Sequence, residues 1–225
     1  MKSSLPTGQA GMRKPSHTGM IVNHAKILPK NRDKLCQLKR NYNHMKTREI
    51  VTLQRSLLHD TEKLLNEQIG MEGKSSASYL SMASWCHMMG YENASKYLYT
   101  HADEERMHMM KLFKYVNEAG GHAIQPEITG IRHNFNSLRE VFELILEHEI
   151  KVTKSINSIV DHAFGVKDFA TFSFMQWYVT EQREEETIAR RALELFEIIG
   201  EEGVGLWTID QELGKLHAIS AENGG

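Results

Sequence analysis

The chain has 225 residues, 40% of them hydrophobic and 25% charged, the composition of an ordinary globular protein with room for one good-sized core. Two cysteines, Cys36 and Cys86, exclude a disulfide framework and suit a reducing cytoplasm, and no run of residues reaches the apolar length of a membrane span. The net charge of −2 hides an asymmetry. Between Met1 and His44 nine of the 27 Lys and Arg residues stand against one acid, Asp33, so the rest of the chain carries eighteen basic and twenty-eight acidic residues, a net of −10.

Residues 1–58 read as a basic, apolar-poor leader holding three of the four prolines, Pro6, Pro15 and Pro29. Met20-Ile21-Val22 is broken by Asn23 and His24, so the continuous apolar stretch of a secretory signal is missing. The expectation is a disordered tail, or a stretch upstream of a translation start near Met45. Clustered Lys and Arg leave a nucleic-acid-binding arm as the alternative. The globular domain is placed at 59–225.

That domain reads almost wholly as helix. A first segment spans about 60–88 and stops at Gly90; a second spans about 92–118 and stops at Gly120-Gly121. A polar connection, 122–136, holds Pro126 and Gly130. The third segment opens on Ser137-Leu138-Arg139-Glu140, a capping-box pattern, and ends at Phe164 before Gly165. The fourth opens on Asp168 as N-cap and ends at Ile199. A shorter helix over 205–217 precedes a frayed end. Short links within each pair make two antiparallel hairpins, and the fifteen-residue connection is long enough to travel the length of a bundle. The predicted fold is therefore all-α: a ferritin-like four-helix bundle, two hairpins joined by a long crossover, with a short C-terminal fifth helix.

Core positions of a packed helix recur at alternating steps of three and four. Such rows are Leu65, Ile69, Glu72, Ser76, Tyr79, Ala83, Cys86 on the first segment and Ala94, Leu98, His101, Glu105, His108, Leu112, Tyr115, Ala119 on the second. The third carries Leu138, Phe142, Ile145, Glu149, Val152, Ile156, Ile159, Ala163, and the fourth Met175, Tyr178, Gln182, Glu185, Ala189, Ala192, Phe196, Ile199. Each row is apolar at both ends and holds a metal-ligand type near its middle. One Glu in a helical stripe is commonly a misjudged face; the same event at the same depth in four helices is not. Burying an unpaired carboxylate costs several kcal/mol, and no Lys or Arg lies in any row. A bound cation resolves the conflict, and carboxylates with one imidazole suit iron.

The stretches LLNEQIGMEGKSSASYLSMASWC (64–86), HADEERMHMMKLF (101–113), EHEIKVTKSIN (147–157) and FMQWYVTEQREEE (174–186) resemble the non-haem bacterial ferritins over about 60–216. The resemblance implies an intrasubunit di-iron ferroxidase centre. Glu72 and His108 would be terminal ligands of the first iron, Glu105 would bridge, and Glu149 and Glu185 would hold the second, with Gln182 close by. Tyr79 matches the family's tyrosine beside the centre, an electron donor and hydrogen-bonding partner; its plainer reading is a core tyrosine. Glu104, Glu181 and Glu184 match a third iron position, against the plainer reading of a solvated acidic face. Fe(II) and O2 or H2O2 would be the substrates, and the product would be stored inside a cytoplasmic homo-24-mer. Haem is not expected, because Arg106 stands where haem-binding relatives carry methionine and, with 182–185 reading QREE, Glu185 stands where a second ExxH would have its histidine. The remaining histidines, His101 among them, read as surface or packing residues, Cys86 as a core thiol, and Gly73 has no explanation in sequence.

Other functions on the same bundle are a di-iron oxygenase or peroxidase and a DNA-binding mini-ferritin using the basic leader. Two lone cysteines exclude the cysteine-rich iron domain of the rubrerythrins. Mini-ferritins place their ligands between subunits, whereas here all four helices of one chain carry them.

Overall fold

A computed structural model of the chain describes residues 36–41, 43 and 55–223. The chain divides into two units, Met1–Ile50 and Val51–Gly225. In the first, the described residues are helical and exposed; the expectations of a disordered tail, of a start near Met45 and of a basic arm fall largely on residues outside those described.

The second unit consists of five helices: α1 (His59–Met89), α2 (Glu92–Glu118), α3 (Leu138–Gly165), α4 (Phe169–Ile199) and α5 (Gly205–Asn223), with no strand among the described residues. The caps are those the sequence signals. Gly90 takes the left-handed conformation (φ 86°) that closes α1, and Tyr91 N–H reaches back to the Cys86 carbonyl at 2.9 Å. Ser137 Oγ accepts the Glu140 N–H at 3.1 Å, while the Glu140 carboxylate accepts from Asn136 N–H at 2.6 Å, one residue earlier than a capping box requires. Asp168 caps α4 by accepting Thr171 N–H at 3.0 Å. Links of two and three residues between helices that pack on each other make α1–α2 and α3–α4 antiparallel hairpins.

The crossover is laced along α1. Glu62 accepts His122 N–H at 2.6 Å, Asn66 accepts Ile124 N–H at 2.8 Å, and Ser81 Oγ donates to the Arg132 carbonyl at 2.7 Å. Between these ties the chain crosses Gly73. A Cβ there would stand 3.0 Å from Pro126 Cγ, 3.1 Å from Met109 Sδ and 3.3 Å from Ile128 Cδ1, so a glycine inside a helix is explained by close approach of the crossover. At the start of the unit Leu57 is buried, and Arg55 pairs with Glu62 at 2.5 Å and donates to the Gly120 carbonyl at 3.2 Å.

α5 is longer than expected, reaching Asn223 instead of 217, because no Gly or Pro interrupts 215–223. It lies against α2 and α4. Its Asp210 accepts from Ala94 N–H at 2.9 Å and from Asn93 Nδ2 at 2.8 Å, supplying the N-terminal cap that α2 lacks from its own N-cap residue, Tyr91.

Candidate metal centre

The buried interior is two apolar clusters. One contains Tyr79, Ala102, Ile145 and Ile188 and extends to Ile209 and Leu213 of α5. The other contains Ile69, Met109, Val152 and Tyr178. On every helix of the bundle an acid falls between a member of one and a member of the other: Glu72, Glu105, Glu149 and Glu185, from 1% to 9% exposed. The four inward rows thus converge as the heptad spacing predicts, with His108 and Gln182 also buried beside them.

Two of the four carboxylates, Glu72 and Glu149, are oriented by neighbours. Gln68 Nε2 donates to Glu72 Oε1 at 2.8 Å. The Tyr79 hydroxyl donates to Glu149 Oε1, and Gln182 Nε2 donates to Glu149 Oε2 at 2.6 Å and to its carbonyl at 3.1 Å. Tyr178 donates to the His108 carbonyl at 2.8 Å. Burial, followed by the charges of Glu149, Glu105 and Glu185, drives the Tyr79 phenol well above its ordinary range, so it remains a donor.

What is missing from this layer is positive charge. His108 Nδ1 lies 3.6 Å from Glu105 Oε2, too long for a hydrogen bond, and burial with Lys111 nearby lowers the imidazole to about 4. Glu105 Oε2 is buried and accepts no hydrogen bond. Burial and then the charges of Glu72 and Glu149 push Glu105 well up; burial pushes Glu72 up, lifts Glu149 to about 7 and, with Glu149 next, raises Glu185 well up. Without a cation the layer is neutralised by protons. One donor atom each from Glu72, Glu105 and His108 lies within 4.8 Å of the others, so a cation between them would meet the orphaned oxygen and remove the need for those protons.

The other expected residues divide. Glu104 is half-buried, and burial with the charges of Glu181 and Glu184 raises it to about 7. Glu181 is raised too, by burial and then by Glu184, and its Oε1 lies 3.8 Å from His108 Nε2. Glu104 does not join these two in a close donor set; its near donors are His101 and Glu185, all three within 4.8 Å. His101 is the residue that sequence reasoning set aside as surface or packing. It is 2% exposed, and it does pack, its ring centroid 4.2 Å from that of Tyr97, but its Nδ1 also faces two carboxylates. The signal was present: residues 101–108 read HADEERMH, a His-x-x-Glu followed directly by its mirror image. Cys86 is buried and its thiol is raised to about 12 by burial and then by Asp210, the chemistry of an inert core thiol.

Comparison with known proteins is consistent with this geometry. The family model described as a ferritin-like domain matches residues 62–199. A probable bacterial non-heme ferritin-like protein of Haemophilus influenzae is 44% identical over 160 residues, covering 71% of this chain and 97% of that protein. A bacterial non-heme ferritin of Campylobacter jejuni is 45% identical over 155 residues, covering 69% and 93%. Among solved structures, an open pore ferritin from the archaeon Archaeoglobus fulgidus superimposes with a TM-score of 0.68 at 39% identity, covering 71% of this chain and 97% of that one.

Proposed function

The chain belongs to the ferritin-like domain family, and on that premise we propose that it is an iron-storage ferritin that oxidises Fe(II) at the centre built on Glu72, Glu105, His108, Glu149 and Glu185. The observation that carries this reading is the buried layer of carboxylates, one from each bundle helix, with no lysine or arginine among its members and one unsatisfied oxygen on Glu105. Iron is the substrate. Two Fe(II) ions give up one electron each to one O2, which takes up two protons and leaves as H2O2. Hard anionic oxygens favour Fe(III) over Fe(II), so the carboxylates lower the potential and drive the oxidation.

The chain's own residues set up that step. Glu105, with donors of Glu72 and His108 close by, would be the bridging carboxylate. Tyr79 and Gln182 fix both oxygens of Glu149, which leaves its orientation independent of the metal. Gln68 does the same for Glu72. Glu104, Glu181 and Glu184, more open than the centre, line the way out for the ferric product. Storage further requires a closed shell, taken here as twenty-four copies, and no helix among the described residues is long and apolar enough to cross a membrane. The two free cysteines, one exposed and one buried, suit a cytoplasmic setting.

The test is to load the purified protein aerobically with excess Fe(II), separate it by size and count iron per chain. Hundreds of irons co-eluting with a large particle are expected. About two per chain on a small oligomer would instead make the protein a di-iron enzyme acting on another substrate.

A further inference from the structure

We propose that His101 is a metal donor, forming with Glu104 and Glu185 a divalent-cation position distinct from the all-carboxylate position of Glu104, Glu181 and Glu184. This rests on the reading of the buried centre as an iron site and refines it.

The geometry is specific. His101 sits on the inward row of α2, one turn before Glu105, its ring between those of Tyr97 (centroids 4.2 Å apart) and Tyr79 (5.9 Å). This packing fixes the imidazole with Nδ1 3.4 Å from Glu104 Oε2 and 3.5 Å from Glu185 Oε2. Those separations are long for charge-assisted hydrogen bonds, which run about 2.7–2.9 Å. They are the separations of neighbouring donors around a shared ion: with metal–ligand bonds of about 2.0–2.2 Å, adjacent ligands stand roughly 3.3–3.6 Å apart in tetrahedral geometry. Glu105 and His108 show the same spacing, 3.6 Å, in the centre itself. The two sets are related by the mirrored sequence. In each, a His and a Glu three residues apart on α2 face the same gap, and a third acid comes from another helix, Glu72 of α1 in one and Glu185 of α4 in the other.

The donor set predicts the ligand. One borderline nitrogen and two carboxylates suit divalent Fe(II), Zn(II) or Co(II), whereas hard Fe(III) favours oxygen alone. The position therefore accepts a divalent cation, unoxidised iron among them. Glu185 ties it to the buried pair, and Glu104, with 27% of its side chain exposed, ties it to the acidic face. His101 thus adds a nitrogen donor between the buried pair and the acidic face, where Glu181 and Glu184 offer oxygen alone.

Anaerobic Co(II) titration of the assembled full-length protein, read by visible absorption and by bound cobalt per chain, tests this. Wild type should bind one more Co(II) per chain than His101→Phe, which keeps a ring between the two tyrosines, and than Glu104→Gln, which alters a half-exposed side chain and spares the core. The double variant Glu181→Gln/Glu184→Gln should retain that cobalt. Retention in His101→Phe, or loss in the double variant, overturns the proposal in favour of the all-carboxylate position. If His101→Phe does not fold, loss in Glu104→Gln with retention in the double variant supports the proposal, and any other combination overturns it. His108→Phe should lose a different cobalt and keep this one. If His108→Phe loses none, the reading of the buried centre fails, independently of the His101 result.

Discussion

The acidic waist and the apolar ends of the bundle obey opposite rules on the same four helices. At the ends, Leu65, Ile69, Leu112, Ile156 and Met175, or Leu98, Leu138, Phe142 and Phe196, are close to fully buried, and burial stabilises the metal-free chain directly. At the waist, burial of Glu72, Glu105, Glu149 and Glu185 destabilises it and shifts each carboxyl toward its protonated form. The lesson is that the middle layer is kept for its ligand and is tolerated only because two apolar clusters flank it.

The strongest way to break this comparison is to make the waist apolar. Glu105→Leu should reduce fast Fe(II) oxidation by more than about 100-fold, beyond the 10- to 100-fold that loss of a mere outer partner costs. The same substitution should raise the stability of the metal-free protein by about 1–3 kcal/mol, because it removes a buried polar group with an unsatisfied oxygen. Stopped-flow oxidation and denaturant unfolding check the two halves. Unchanged oxidation would remove Glu105 from the centre.

A second effect follows from the protons. In the metal-free folded chain burial favours the protonated forms of Glu104 and Glu149 up to about pH 7 and raises Glu105 and Glu185 well above the ordinary carboxylate range, whereas the unfolded chain releases these protons near 4.5. The folded state therefore binds more protons across this window, and stability falls as pH rises through it, by at most about 1.4 kcal/mol per pH unit for each group. His108 and His148, both lowered to about 4 by burial, act in the opposite sense between about 4 and 6.5. With the imidazoles no longer opposing it, the net fall should be steepest between about pH 6.5 and 7. Unfolding midpoints at pH 5, 6, 7 and 8 should decline in that pattern without metal and lose the decline with Zn(II) bound.

The two apolar ends can also be told apart, since only one is closed by α5. Asp210→Ala removes the acceptor for Ala94 N–H and Asn93 Nδ2 and should cost about 1–2 kcal/mol, the usual loss for a helix cap. Amide exchange should speed up at Asn93, Ala94 and along α5, and remain unchanged around Leu65 and Ile156. Uniform loss of protection would mean that the cap holds the whole bundle.

Much of this was legible. The helix limits followed from Gly90, Ser137 and Asp168, and the inward rows from a period that survives any choice of partner. What escaped needed three dimensions. The left-handed turn after α3 is made by Lys167 (φ 61°) and not by Gly165, because the hydrogen bond from Asp168 N–H to the Ala163 carbonyl sets the turn. His101 is on the row that was read correctly, yet its second role depends on Glu185 arriving from α4, and a single-helix pattern carries no record of its neighbour.

Gly73 is the mildest test, because two effects of similar size meet there. Alanine in a helix interior gains about 0.5–1 kcal/mol over glycine. The added Cβ would press on Pro126, Met109 and Ile128, and filling a packed gap costs about 1–3 kcal/mol when neighbours cannot move. The sulfur and the Ile128 methyl are ends of flexible chains and can yield by a few tenths of an ångström; Pro126 is held by a ring. Gly73→Ala should therefore change stability by less than about 1 kcal/mol, and Gly73→Val, with two further carbons and a stiff rotamer, should lose about 1–3 kcal/mol and loosen the crossover at Ile124. Since Glu72 is the preceding residue, any valine-induced shift should also appear as slower iron oxidation. A stable valine variant with normal oxidation would show that the crossover lies on α1 without constraining it.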